Sequence, residues 1–384
     1  MKHIWIVLLA LMLLGWQPAL AQEQIPEQSL QAAIDDVIAG LDFSGIDDLR
    51  IPGYAQPVRI KDMVSRLASG QMISAEDAVA GVLSAFFDAL TSLGVLLVSI
   101  MLPVLLSSLL MHMLSSSQTS LVTLSRSVSF VLILIPVLLL VFSELEHARE
   151  TITAMTIRMD KLLPILLTLL TALGGNASSA FLHPVVVAAS GSMVFLAREV
   201  ILRLVMCTCV VTAVNHLSDR AHLSRMAQLL RSCVCWLLGI SFTVFLGAMS
   251  LQGVCSASMD GVVIRAAKYA VDNFVPVIGG IFSDTMDTLV GCTLIVKNAL
   301  GVTVVIALIG AILGPMMRTL CVVFLLKLSA ALLEPVADGE IIRAISDFSR
   351  TIVLFLITML CVATMYFLLI VQILLVGNLT VMLR

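Results

Sequence analysis

The chain has 384 residues, 22 basic and 25 acidic, for a formal net charge of −3. Hydrophobic residues make up 60%, charged residues only 12%, and the mean hydropathy is +1.09. This balance excludes an ordinary soluble domain, a disordered chain and, lacking a basic excess, a nucleic-acid binder. So much apolar surface must face lipid, and the expected fold class is an all-α polytopic integral membrane protein.

Met1, Lys2 and His3 give a positive start, and Ile4 to Gly15 is an almost unbroken apolar run. Gln17-Pro18-Ala19-Leu20-Ala21 ends in the small-x-small pattern of a cleavage site. Residues 1–21 therefore read as a signal peptide cut after Ala21; the alternative is an uncleaved first span, for which the run is short. Residues 22–80 read as a small exported helical segment, rich in acids from Glu23 to Asp48. Ile51-Pro52-Gly53-Tyr54 marks a turn, and Ser74 with Asp77 caps the helix entering the membrane. Residues 81–384 form the polytopic membrane domain.

A span needs about 20 mostly apolar residues. Seven candidates follow, at 88–111, 123–143, 184–207, 232–254, 299–314, 317–333 and 351–376. Two shorter stretches, 163–175 after Pro164 and 275–296 after Pro276, read as re-entrant or interfacial, so the range is six to nine. Basic residues favour the cytoplasmic side. Arg220, Arg225 and Arg231 place 215–231 inside, and 115–126, with Arg126 alone, is consistent with inside. The mixed stretches 144–161 and 334–350 fit outside. The expected topology is then an extracytoplasmic N-terminus and a cytoplasmic Arg384. Lys161-Leu162-Leu163-Pro164 and Asn273-Phe274-Val275-Pro276 each open a short apolar stretch, and Glu334-Pro335 again precedes a span. These units read as parallel repeats or as the ordinary punctuation of helix starts by proline.

Chemistry-bearing residues are few. Ser283-Asp284-Thr285-Met286-Asp287-Thr288 is the most polar patch in an apolar region, and its two acids share a helix face. They suit a water-filled passage or a solvated surface helix. An aspartyl protease would want them on separate facing elements. Arg198, Glu199 and Arg203 interrupt the run from 184 to 214; the two arginines mark a helix end, snorkel to the inner interface, pair with Glu199 or another helix, or form a substrate site. Arg318 fits a tight cytoplasmic turn between two spans; Lys327 should face protein or water, and Lys297 borders a span. Cys207-x-Cys209 and Cys233-x-Cys235 lack zinc spacing, and their side chains diverge by about 200° on a helix. The five histidines beyond His3 form no His-x-x-x-His pair, and no phosphate-binding loop is present. The reading is a non-enzyme with no catalytic, cofactor-binding or metal residues and no cofactor. Its candidate pathway or packing residues are Asp284, Asp287, Pro276, Gly279, Gly280, Lys297 and Pro164.

Several blocks carry a resemblance. They are Leu251-Gln252-Gly253, Arg265-Ala266-Ala267-Lys268-Tyr269-Ala270, Asn273 to Gly280, Ser283 to Thr288 and Lys297-Asn298-Ala299-Leu300-Gly301. With the later Glu334 to Asp338 and Gly377-Asn378, they resemble the stage III sporulation protein AE family over nearly the whole chain. The resemblance implies a place in the mother-cell membrane around the forespore, within a secretion-like channel needed for endospore development and late sigma-factor activity. It implies as partners the stage III sporulation proteins AA (an ATPase), AB, AC, AD, AF, AG and AH, and indirectly forespore protein Q, beside the lipid bilayer and further copies of the chain. The implied role is permease- or export-gate-like. A stand-alone secondary transporter and a structural anchor for the intermembrane rings are the alternatives.

Overall fold

The computed structural model describes residues 60–68, 75–95, 98–99, 101–106, 119–173, 175–217, 223–274, 279–335, 337 and 339–382, with the side chains of 60–61, 68, 75–79, 119–130, 176–177, 181, 253–290 and 379–382 outside that description. The signal-peptide reading, residues 22–59 and Pro276 lie outside the described residues. Among the described residues all regular structure is helical: α1 Ile60–Ala68, α2 Ala75–Ser92, α3 Thr119–Ala172, α4 Asn176–Phe195, a π-helical turn Leu196–Ile201, α5 Leu202–Leu217, α6 Ser224–Phe274, α7 Gly279–Leu333 and α8 Gly339–Met382.

Helix α1 is short but strongly amphipathic. Met63 and Val64 are buried against the bundle, with Asp62 in its first turn and Arg66 in its last, each suited to the helix dipole. It packs on α7, as does α2. The end of the acidic segment thus belongs to the same core as the membrane domain.

The remaining helices form five rods, because α4, the π turn and α5 run on without a break. Cross-contacts set their directions. Glu144 of α3 meets Thr319 of α7, while Leu170 and Lys297 meet over Gly377 of α8, so α3 and α7 are antiparallel. Tyr366 of α8 donates to Thr156 of α3 at 3.1 Å, so α3 and α8 are parallel. Arg231 and Met249 of α6 meet Asp347 and Gln372 of α8 in the same order. The rods therefore alternate up and down. The C-terminal ends of α5 and α7 and the starts of α6 and α8 share one end of the bundle. The C-terminal ends of α3 and α8 share the other with the start of α4.

Among the described residues, four stretches are long and apolar enough to cross a membrane: Val131–Ala172, Ser224–Gln252, Gly291–Leu333 and Gly339–Asn378. Their alignment corrects several sequence readings. The runs 299–314 and 317–333 are one helix that passes through Pro315 without a turn. Each run alone spans only about 25 Å, short of a hydrocarbon core of about 30 Å. One proline removes a single hydrogen bond, which bends a helix more readily than it ends one when apolar packing holds both sides. The stretch 163–175 is no separate re-entrant element: Pro164 sits inside α3, which ends only at Ala172. The stretch 144–161, read as an outside loop, is the middle of the same helix. The run 184–207 crosses the π turn.

Candidate functional site

Lys297 is completely buried, with 0% exposure. Its ammonium donates to the Leu374 carbonyl at 2.8 Å and to Asn378 Oδ1 at 3.1 Å, both near the C-terminal end of α8. Two glycines make the approach possible. A Cβ at Gly377 would fall on Lys297 Nζ and lie 3.2 Å from Leu170 Cδ1. A Cβ at Gly301, one turn along α7, would fall on the Leu374 side chain. Gly175 closes the nearby α3–α4 turn by donating to the Leu170 carbonyl at 3.0 Å. A Cβ there would sit 2.9 Å from that same oxygen. Lys297, Gly301, Gly377 and Asn378 thus form one polar lock in an apolar crossing of α3, α7 and α8.

A second polar tie lies at the other level of α7. Glu144, at 0% exposure, accepts from Thr319 Oγ1 at 2.8 Å and stands 3.5 Å from Arg318 Nε. Arg318 also donates to Ser143 Oγ at 3.2 Å and lies 3.4 Å from His147 Nδ1. Arg318 is therefore a helix-to-helix tie, and the turn expected around it is absent. A third tie joins α5, α6 and α8: Asp347 faces His216 at 3.2 Å and Arg231 at 3.5 Å. Arg350 adds an ion pair from the next turn. The π turn precedes this tie and sets the rotation of α5, hence where Thr212 and His216 point. Arg203 pairs with Glu199 across it, the local pairing that the sequence offered as one reading.

An open cleft of about 450 Å³ separates α3 from α5, lined by Leu145, Arg149, Arg203, Met206, Cys207, Val210 and Val211. Its walls are apolar apart from the two guanidinium groups. Cys207 is exposed and Cys209 buried, as their divergence on a helix requires.

Of the seven candidate pathway or packing residues, only Lys297 stands in a described polar site. Gly279 and Gly280 open α7, and Asp284 and Asp287 follow on its next turns with side chains outside the described residues. The two acids lie ten and thirteen residues before Lys297, about 15–20 Å along the helix. Pro164 is exposed on α3 and its carbonyl accepts from Thr168. Glu144 and Asp347 went unremarked because a carboxylate in a mixed-charge stretch reads as a solvated loop. The available signal was that Arg318 needed a partner once no loop surrounded it.

The family model for stage III sporulation protein AE matches residues 58–377. The chain belongs to that family. Stage III sporulation protein AE of Bacillus subtilis (strain 168) is 27% identical over 394 residues, covering 99% of each chain. No solved structure matches. Membership carries a role in sporulation, and the four apolar helices carry a place in a membrane. Lys297, Gly301, Gly377 and Asn378 all fall within or beside the matched region, so the lock is built from the family part of the chain.

Proposed function

We propose that the chain is a non-catalytic membrane component of the mother cell–forespore channel, shaped as a permease or export gate and driven by a separate ATPase. The other stage III sporulation proteins are its partners. The observation that carries this reading is the buried lysine lock. An anchor needs only apolar helices, whereas an ionisable group kept inside a membrane bundle is costly and usually serves a function. Beyond the lock, α6 and α7 both continue as helices; α7 begins eighteen residues before Lys297, about 27 Å. This extension carries most of the family blocks, including Asp284 and Asp287.

Sporulation assays test the reading. Lys297→Met at normal protein level should stop development after engulfment, as should Asp284→Ala with Asp287→Ala. Normal spore counts in both would leave the anchor reading and remove this one. Uptake by the purified protein in vesicles without partners would instead favour a stand-alone transporter.

A further inference from the structure

Four rods carry long runs without Asp, Glu, Lys or Arg: residues 176–197 in α4, 232–259 in α6, 298–317 in α7 and 351–378 in α8. The cross-contacts place these runs side by side. One boundary is marked by Arg198, Arg231, Arg318 and Arg350, the other by the Lys297 lock. This common slab is the natural depth of the hydrocarbon core. Its outer surface is correspondingly apolar, with Val187, Ile240, Val244, Ile309 and Val371 exposed.

Helix α3 breaks the pattern. Glu144 meets Thr319 at one boundary of the slab, Thr156 meets Tyr366 in its middle, and Leu170 meets Gly377 at the other boundary. Residues 145–169 therefore lie at the same depth. That stretch carries Glu146, Arg149, Glu150, Arg158, Asp160 and Lys161. Apart from Arg149, which lines the cleft toward α5, these residues do not face inward. Glu146 is 61% exposed, and Glu150, Ala154, Arg158, Asp160, Lys161, Pro164 and Thr168 are exposed as well. They recur at helical spacing, so they form one outward stripe, whose large apolar member is Ile157. The inward face of the same helix is apolar: Ile152, Met155, Met159, Leu162, Leu166 and Leu170 are buried.

Lipid tails satisfy no hydrogen bonds, and charged groups within a span face protein or water. Glu146 and Arg149 pair at 3.9 Å within the stripe. We infer that the outward stripe of α3, from Glu146 to Thr168, is the wall of a water-filled passage at bilayer depth. This deepens the channel reading and rests on it for what the water is for. The buried ties hold α3 in register from behind, so the stripe stands on a fixed rod. Its acidic part, Glu146 and Glu150, lies toward the arginine boundary, and Arg158 and Lys161 lie toward the lysine lock. Arg149 and Asp160 stand among them, so both halves of the stripe carry charges of both signs.

The test uses the full-length protein in sealed membranes, with its native cysteines replaced. Single cysteines at Glu150, Ala154 and Arg158 are compared with controls at Ile240 and Val244. Ala154→Cys changes little volume, so folding failure does not decide the outcome. A membrane-impermeant methanethiosulfonate should modify the three stripe positions at least tenfold faster than the controls. Equal rates at stripe and control positions would overturn the inference. The channel reading is tested separately, by reversing the charges with Glu150→Lys and Arg158→Glu. Loss of spores with protein level intact supports both ideas. Fast labelling with unchanged spore yield would keep the wet wall and overturn the channel reading.

Discussion

Gly377 shows how a single missing methyl group sets the geometry of a crossing. The Lys297 ammonium occupies the place where a Cβ would stand, so Gly377→Ala forces the lysine off the Leu374 carbonyl and Asn378. Overpacking of this kind costs about 1–3 kcal/mol. Gly377→Ala should lower the thermal midpoint of the detergent-purified protein. Lys297→Met, which removes the charge and keeps an unbranched chain, should make the two effects non-additive, since the residues are in contact. Additive shifts in the double variant would contradict the lock. Glu144 gives a second case. Glu144→Leu strands Thr319 and the Arg318 guanidinium, and breaking a buried pair costs about 3–5 kcal/mol at most, less here because Arg318 is 39% exposed. Adding Arg318→Leu should recover part of the loss, read as the same thermal midpoint; a further drop would mean that the pair is not coupled.

At the scale of the helix, Pro315 and Arg318 look like a turn when read along the chain, and in the structure they belong to an unbroken rod. Pro315→Ala returns an N–H to the helix, so protein level and thermal midpoint should hold or rise. A fall in both would point to a turn at that position. The apolar runs themselves were legible, because hydropathy and length suffice to find them. The run at 351–376 lies inside α8 and that at 232–254 inside α6. Continuity was not legible. Residues 144–161 carry the charge of a loop, and only their contacts with α7 and α8 show them to be the middle of α3. The π turn at Leu196–Ile201 has no sequence mark at all, although Arg198 and Glu199 within it stood out as charges in an apolar run. Lys297 was singled out by its place beside a span, whereas its partners sit 77 and 81 positions away and appear only on packing.

For the whole molecule, alternating rods replace the expected series of short spans. Family membership over residues 58–377 gives the sporulation role. The bundle adds a physical frame for it: a slab of uncharged helices, polar ties near its boundaries and one helix whose outer face is charged. The direction of each rod is the claim on which that frame stands, because the depth of the α3 stripe follows from it. Cysteines placed singly at Ala172, Ser224, Gly339 and Met382 in sealed vesicles, and treated with an impermeant thiol reagent from one side at a time, test it most directly. Gly339 has open space around it, so a side chain fits there. The account predicts that 224 and 339 label from one side and that 172 and 382 label from the other. Labelling of 224 and 339 from opposite sides would restore a hairpin within α7 and contradict the bundle.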